Sequence, residues 1–260
     1  MQLKSFLVAC GAPLASLAAV ALLATRTLAG PPFFTDDPVP DDKGHGEFYV
    51  GAMETWARGG VFGELPLFEY DYSPIDNLQL HMITPLVYDR DNQSETINYG
   101  YGDTELGIKF RFIQEDSLFP GCPQVATFPL LEMPSGDVHR GLGNGRLQEF
   151  VPIWMQKSWG PQNRQWTLYG GGGYEVNHGA GNENFGFFGA VLQKQVADNL
   201  ALAGEVFHFT PAADGQSSHT GFNVGFIYDF SDNWHFLFSI GRDFVGDNRL
   251  TNYNAIQLTF

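Results

Sequence analysis

The sequence predicts an all-β chain, closed into an antiparallel, up-and-down transmembrane β-barrel of about twelve strands. Three observations carry that prediction. From Glu47 onward, segments of about ten residues alternate apolar and polar side chains with the period of two that a strand imposes. The stretches between them alternate between short turns and longer runs rich in Gly, Asn and Asp. The apolar rows are long, as in Phe222, Val224, Phe226, Tyr228 and Phe230. A soluble sandwich also alternates, but it would rarely need such rows on strand after strand. Lipid covers them, and closure satisfies every backbone N–H and C=O where water is absent.

The elements follow in order. Residues 1–29 read as an export signal: Met1 to Lys4 gives a positive start, Leu14 to Ala24 an apolar stretch, and Thr27-Leu28-Ala29 the small residues a signal peptidase inspects. Residues 30–46 read as an acidic, solvated periplasmic segment containing Asp36, Asp37, Asp41 and Asp42, and residues 47–260 as the barrel. The expected strands are Phe48 to Ala57, Leu67 to Tyr72, Leu78 to Val87, Glu105 to Phe112, Gln124 to Met133 and Leu147 to Lys157. Beyond them lie Gln165 to Val176, Phe185 to Val196, Leu200 to Phe209, Phe222 to Phe230, Trp234 to Gly241 and Asn252 to Phe260.

Some of these segments are clean and some are not. Leu106, Ile108, Phe110 and Phe112 alternate with Glu105, Gly107, Lys109 and Arg111, so one face is apolar and the other ionisable. Gly170 to Gly173 and the prolines at 66, 85, 129 and 152 blur the pattern elsewhere. A proline cannot donate to a ladder, so these four read as segment ends or bulges. The longer connections, Arg58 to Gly63, Asp89 to Asn98, Pro134 to Gly143, Asn177 to Asn184, Pro211 to His219 and Phe244 to Leu250, are assigned to the outside of the cell. Trp56, Tyr72, Tyr88, Tyr101, Trp154, Trp159, Trp166, Tyr228 and Trp234 sit near strand ends and would form interfacial girdles.

Composition narrows the partners. Lys and Arg number 14 against 29 Asp and Glu, a net charge of -15, which repels phosphate backbones and predicts no nucleic-acid partner. Aromatic residues at 15% with only 17% charged exclude a disordered chain. Cys10 leaves with the leader, so Cys122 remains alone, without a disulfide partner in the chain.

Catalytic motifs are absent from the reading. The seven histidines are dispersed, with no His-x-x-x-His or Glu-x-x-His pair, so neither a metal nor a cofactor is expected. Ser239 and His235 share a face but lie ~13 Å apart at the strand rise. Gly170 to Gly173 lacks the Lys-Ser/Thr of a P-loop. The chain therefore reads as a non-enzyme, with a barrel hydrolase as the remote alternative.

What function there is falls to the inward face. Glu69, Asp71, Gln79, His81, Glu105, Lys109, Arg111, Glu175, Glu205 and His235 lie opposite apolar neighbours and are expected to line the pore. The basic members would either select solutes or pair with carboxylates such as Glu69, Asp71 or Glu205 across the lumen. Ile256, Leu258 and Phe260 form a terminal outward row that resembles the signal read by the barrel assembly machinery.

Several motifs together point to a family. Phe33-Phe34-Thr35-Asp36-Asp37-Pro38 with Gly46-Glu47-Phe48, the stretch Gly102-Asp103-Thr104-Glu105-Leu106-Gly107-Ile108-Lys109-Phe110-Arg111-Phe112, and Pro134-Ser135-Gly136-Asp137 resemble, in that order, the bacterial outer-membrane family labelled "putative MetA-pathway of phenol degradation". The resemblance spans most of residues 33 to 260 and implies an outer-membrane barrel with a role in uptake. The expected function is thus passive passage of small solutes, aromatic or hydrophobic ones suggested by the label alone, with outer-membrane lipid as the surroundings. The alternative is a non-conducting structural or adhesion barrel that acts through its outer loops.

Overall fold

The computed structural model describes residues 32–94, 96–179 and 181–260, so the expected leader lies outside the described residues. Alternation makes strands, and the strands close on themselves. β1 (Gly46–Trp56) pairs antiparallel with β2 (Gly60–Ile75) on one side and with β14 (Leu250–Thr259) on the other. Between them run β3 (Leu78–Asp91), β4 (Ile97–Tyr101), β5 (Thr104–Ile113), β6 (Gln124–Thr127), β7 (Leu130–Met133), β8 (Gln148–Trp159) and β9 (Trp166–Asn177). β10 (Phe185–Ala197), β11 (Leu200–Phe209), β12 (His219–Asp229) and β13 (Trp234–Val245) complete the ring. β4 and β5 pair end to end along β3, and β6 and β7 lie end to end between β5 and β8. The fourteen segments therefore form a closed barrel of twelve antiparallel staves, one for each expected strand.

Two of the prolines explain why two staves are split. Pro85 of β3 lies opposite the gap at residues 102–103, between the Ile83–Glu105 and Leu86–Tyr101 pairs. Pro152 of β8 lies opposite the gap at 128–129, between the Phe150–Leu130 and Ile153–Thr127 pairs. A missing N–H costs least where the partner ladder is already interrupted. Pro129 sits in the second gap itself, and Pro66 falls within the register shift between Glu64 and Leu67.

The outer surface is apolar because the sequence period is. Leu106, Ile108, Phe110 and Phe112 are all exposed, as are Leu80, Met82, Val224 and Ile240. Trp159, Trp166, Tyr228 and Trp234 stand exposed around the rim where Gly46 and Phe260 meet, here the lower rim, while Tyr99 and Tyr101 stand near the upper one. Ile108→Arg would put a guanidinium on the lipid face and is expected to lower folding free energy by about 2–4 kcal/mol. Urea titration of the barrel refolded into vesicles reads that loss, and Asn in place of the inward Gln79 should change it far less.

Three expectations need correction. Trp154 belongs to no girdle: it is 0% exposed and points inward from β8. Arg58 to Gly63 is not a long loop, because Gly60 already pairs with Asp91 and only residues 57–59 lie between β1 and β2. Asp36 is not solvated but 1% exposed, for reasons given below. On the lower rim the connection 114–123 is longer than its neighbours and is pinned at Asp116, which accepts from Lys157 Nζ at 2.8 Å and Gly121 N at 2.7 Å. The Lys157 bond, helped by the Gly121 N–H, holds the Asp116 carboxyl below its usual range. Cys122 at its end is buried, its thiol 3.3 Å from the Pro123 carbonyl.

Candidate functional site: the occupied lumen

The chain before β1 turns back into the barrel as a strap. Phe33, Phe34, Thr35 and Asp36 are all buried. Such a segment has no neighbouring strand for its N–H groups, so buried side chains must accept from it. Glu205 of β11 does so: Thr35 donates from its N and its Oγ1 to Glu205 Oε1, both at 2.7 Å, and Phe34 N reaches Oε2 at 3.4 Å. Asn223 of β12 donates to the same carboxylate at 2.6 Å. Asp36 pairs with Lys109 Nζ at 3.2 Å, and Asp41 N donates to Gln79 Oε1 at 3.1 Å. The wall makes room at Gly189, where a Cβ would stand 1.9 Å from Thr35 Oγ1.

The strap carries two rings into an apolar cluster. Phe34 meets Phe207 and Phe209 edge-on, with centroids 4.8 and 5.6 Å apart, and Phe33 packs with Tyr169 and Val191. The cluster of Phe34 also holds Met53, Leu67, Ile83, Phe128, Leu130, Phe150, Trp154 and Phe187, all buried. The Phe150 ring fits because it lies over a glycine of β9, diagonal to it in the register: a Cβ on Gly173 would fall 2.6 Å from the ring. Sequence reasoning missed this apolar interior. Its signal was present as the blurred alternation of β8, where Phe150 and Trp154 face in while Val151, Ile153 and Met155 face out.

The expected pore-lining residues fall into separate groups. Glu69, Asp71, His81 and Glu105 come together: His81 Nδ1 lies 2.7 Å from Asp71 Oδ1 and 3.8 Å from Glu69 Oε1, and its Nε2 lies 3.3 Å from Glu105 Oε1. Lys109, Gln79 and Glu205 hold the strap. Lys109 thus pairs with Asp36 rather than with the wall carboxylates, and it also stands 4.9 Å over the Phe128 ring. Arg111, half-buried, donates to the uncharged Asn77 and Gln124. Glu175 is buried on β9 opposite Phe150, and His235, half-buried, bonds Asp229 at 2.7 Å. Beneath the strap a cavity of about 400 Å³ is lined by Asp37, Asp41, Asp42, Glu47, Asp71 and Lys109, among others, so its lining is strongly acidic.

The model of the family described as "Putative MetA-pathway of phenol degradation" matches residues 40–260. The chain belongs to that family. In this chain the match begins just after the strap residues Phe33 to Asp36. The COG4313 outer membrane channel from Pseudomonas putida F1 resembles it with a TM-score of 0.63 at 15% identity, over 83% of this chain and 94% of that one. The NanC porin gives 0.56 at 8% identity, over 81% and 98%. A KdgM porin in complex with disordered oligogalacturonate gives 0.52 at 9% identity, over 82% and 99%. No curated protein matches the family member. Its shared fold is that of the bacterial outer-membrane β-barrel.

Proposed function

We infer that this protein is an outer-membrane channel for passive passage of small, poorly water-soluble solutes, with aromatic compounds as the class the family description suggests. The lower rim then faces the periplasm, and the outward row Ile256, Leu258 and Phe260 engages the barrel assembly machinery. One observation carries the reading. The upper lumen is lined by Phe128, Phe150, Trp154, Phe187, Phe207 and Phe209, a cluster now filled by Phe34 of the strap, which a hydrated ion pore has no use for and which an apolar solute would meet in the place of that ring. Charged side chains such as Lys109 and Arg111 lie lower, toward the acidic cavity, where they act on what has already crossed the apolar zone. Named relatives agree with it: one solved barrel of this fold is described as an outer membrane channel, two as porins.

The strap and the aromatic cluster also favour a second reading, a filled barrel that acts through its outer loops. Planar-bilayer recordings and solute uptake into vesicles separate the two. Uptake of a small aromatic solute faster than of a sugar of similar mass is expected. Neither current nor uptake from a barrel that is folded by its gel mobility would leave the filled barrel standing.

A further inference from the structure

Passage leaves one cluster in the wall without a role. Glu69 and Asp71 are two positions apart on β2, so both face inward, and β3 places His81 directly opposite Asp71. One ligating atom from each of the three lies within 4.8 Å of the others. All three residues are buried, and Glu69, 2% exposed, aims at His81 Nδ1 an Oε1 that accepts no hydrogen bond among the described residues.

We propose that Glu69, Asp71 and His81 bind a divalent transition cation of the Zn²⁺ class, with His81 Nδ1 and one oxygen of each carboxylate as ligands. Bonds of about 2.0–2.2 Å in a tetrahedron set ligand atoms roughly 3.3–3.6 Å apart. The two distances from His81 Nδ1, 2.7 and 3.8 Å, lie on either side of that spacing. Small side-chain rotations therefore open the site. Glu105, 3.3 Å from Nε2, takes the other ring N–H, fixes the tautomer and makes Nδ1 the better donor. The carboxylates of Glu69 and Asp71 converge on one imidazole nitrogen, a ligand charge that suits a dication. An imidazole ligand favours Zn²⁺ and its neighbours over Mg²⁺ or Ca²⁺, which prefer oxygen alone. Asp71 also lines the acidic cavity, so a cation has a route in.

The full barrel, refolded in detergent and checked by gel mobility, can be titrated with Co²⁺ and followed by visible absorption. A saturable tetrahedral band at one Co²⁺ per chain, bleached by Zn²⁺, is expected. His81→Gln should abolish it, Glu69→Gln should weaken affinity at least tenfold, and the pair Asp41→Asn with Asp42→Asn should leave it unchanged. The proposal is overturned by a spectrum that stays that of hydrated Co²⁺, or by binding that survives His81→Gln and vanishes with the Asp41 and Asp42 changes. Should His81→Gln not fold, Glu69→Gln decides: unchanged affinity overturns the site, and a tenfold loss upholds it.

Discussion

A barrel that lacks residues 32–43, joined directly behind an export signal, is expected to carry several-fold more current per channel than the full chain. Within the lumen the strap places two phenyl rings, a threonine and an aspartate, all of them buried, against staves on opposite sides. Asp36 is held by β5 and Thr35 by β11, so the strap crosses the bore rather than lying along one wall. Conductance follows the narrowest cross-section, and its removal widens that section. The stave ladders do not depend on it, because β1 pairs with β2 and β14 through residues 46 onward. Gly189→Val reaches the same end by another route. Its side chain would enter the space of Thr35 Oγ1 from the wall and expel the strap without shortening the chain. Single-channel recordings of both variants check the expectation; conductance equal to that of the full chain in two folded variants would place the constriction elsewhere.

Lys109→Met is expected to cost about 3–5 kcal/mol, the usual consequence of leaving one half of a buried ion pair behind. The two side chains are 4% and 1% exposed, so water cannot stand in for the lost ammonium. Asp36 loses the cation it pairs with, and Phe128 loses the charge above its ring. Replacing both partners, Lys109→Met with Asp36→Leu, should recover part of the loss, since no uncompensated charge remains. Urea unfolding of the four species in vesicles closes the cycle, with a coupling of about 0.5–3 kcal/mol expected. A coupling near zero would mean that the pair contributes nothing to holding the strap.

These two experiments concern the part of the molecule least legible in its sequence. β5 could be read outright, because lipid demands Leu106, Ile108, Phe110 and Phe112 on one face and the lumen tolerates Glu105, Lys109 and Arg111 on the other. β8 could not, since an apolar lumen puts Phe150 and Trp154 on the face that a polar lumen would leave to charge. The strap escaped for a related reason. Its aspartates taken locally mean a solvated segment, and nothing near them announces Lys109 or Glu205. The adjacent Phe33 and Phe34 were the available hint, for two neighbouring rings in an acidic stretch need cover. The Glu69, Asp71 and His81 group escaped because the motifs sought had helical spacing, whereas a strand brings ligands together at every second residue and across a register.

The contacts that hold the strap are also long in chain terms. Asp36 reaches Lys109 over 73 positions and Thr35 reaches Glu205 over 170. Contacts so distant carry the largest loop-closure cost, so the strap is expected to settle after the wall it rests on. What is held through side-chain contacts alone can also leave first, as a cooperative unit whose opening free energy lies below that of the staves. Hydrogen exchange should find it as a separate foldon, its amides trading with solvent while the staves remain protected. The protein thus divides into a durable ring and a detachable occupant, and the two can respond to different selective pressures within one chain.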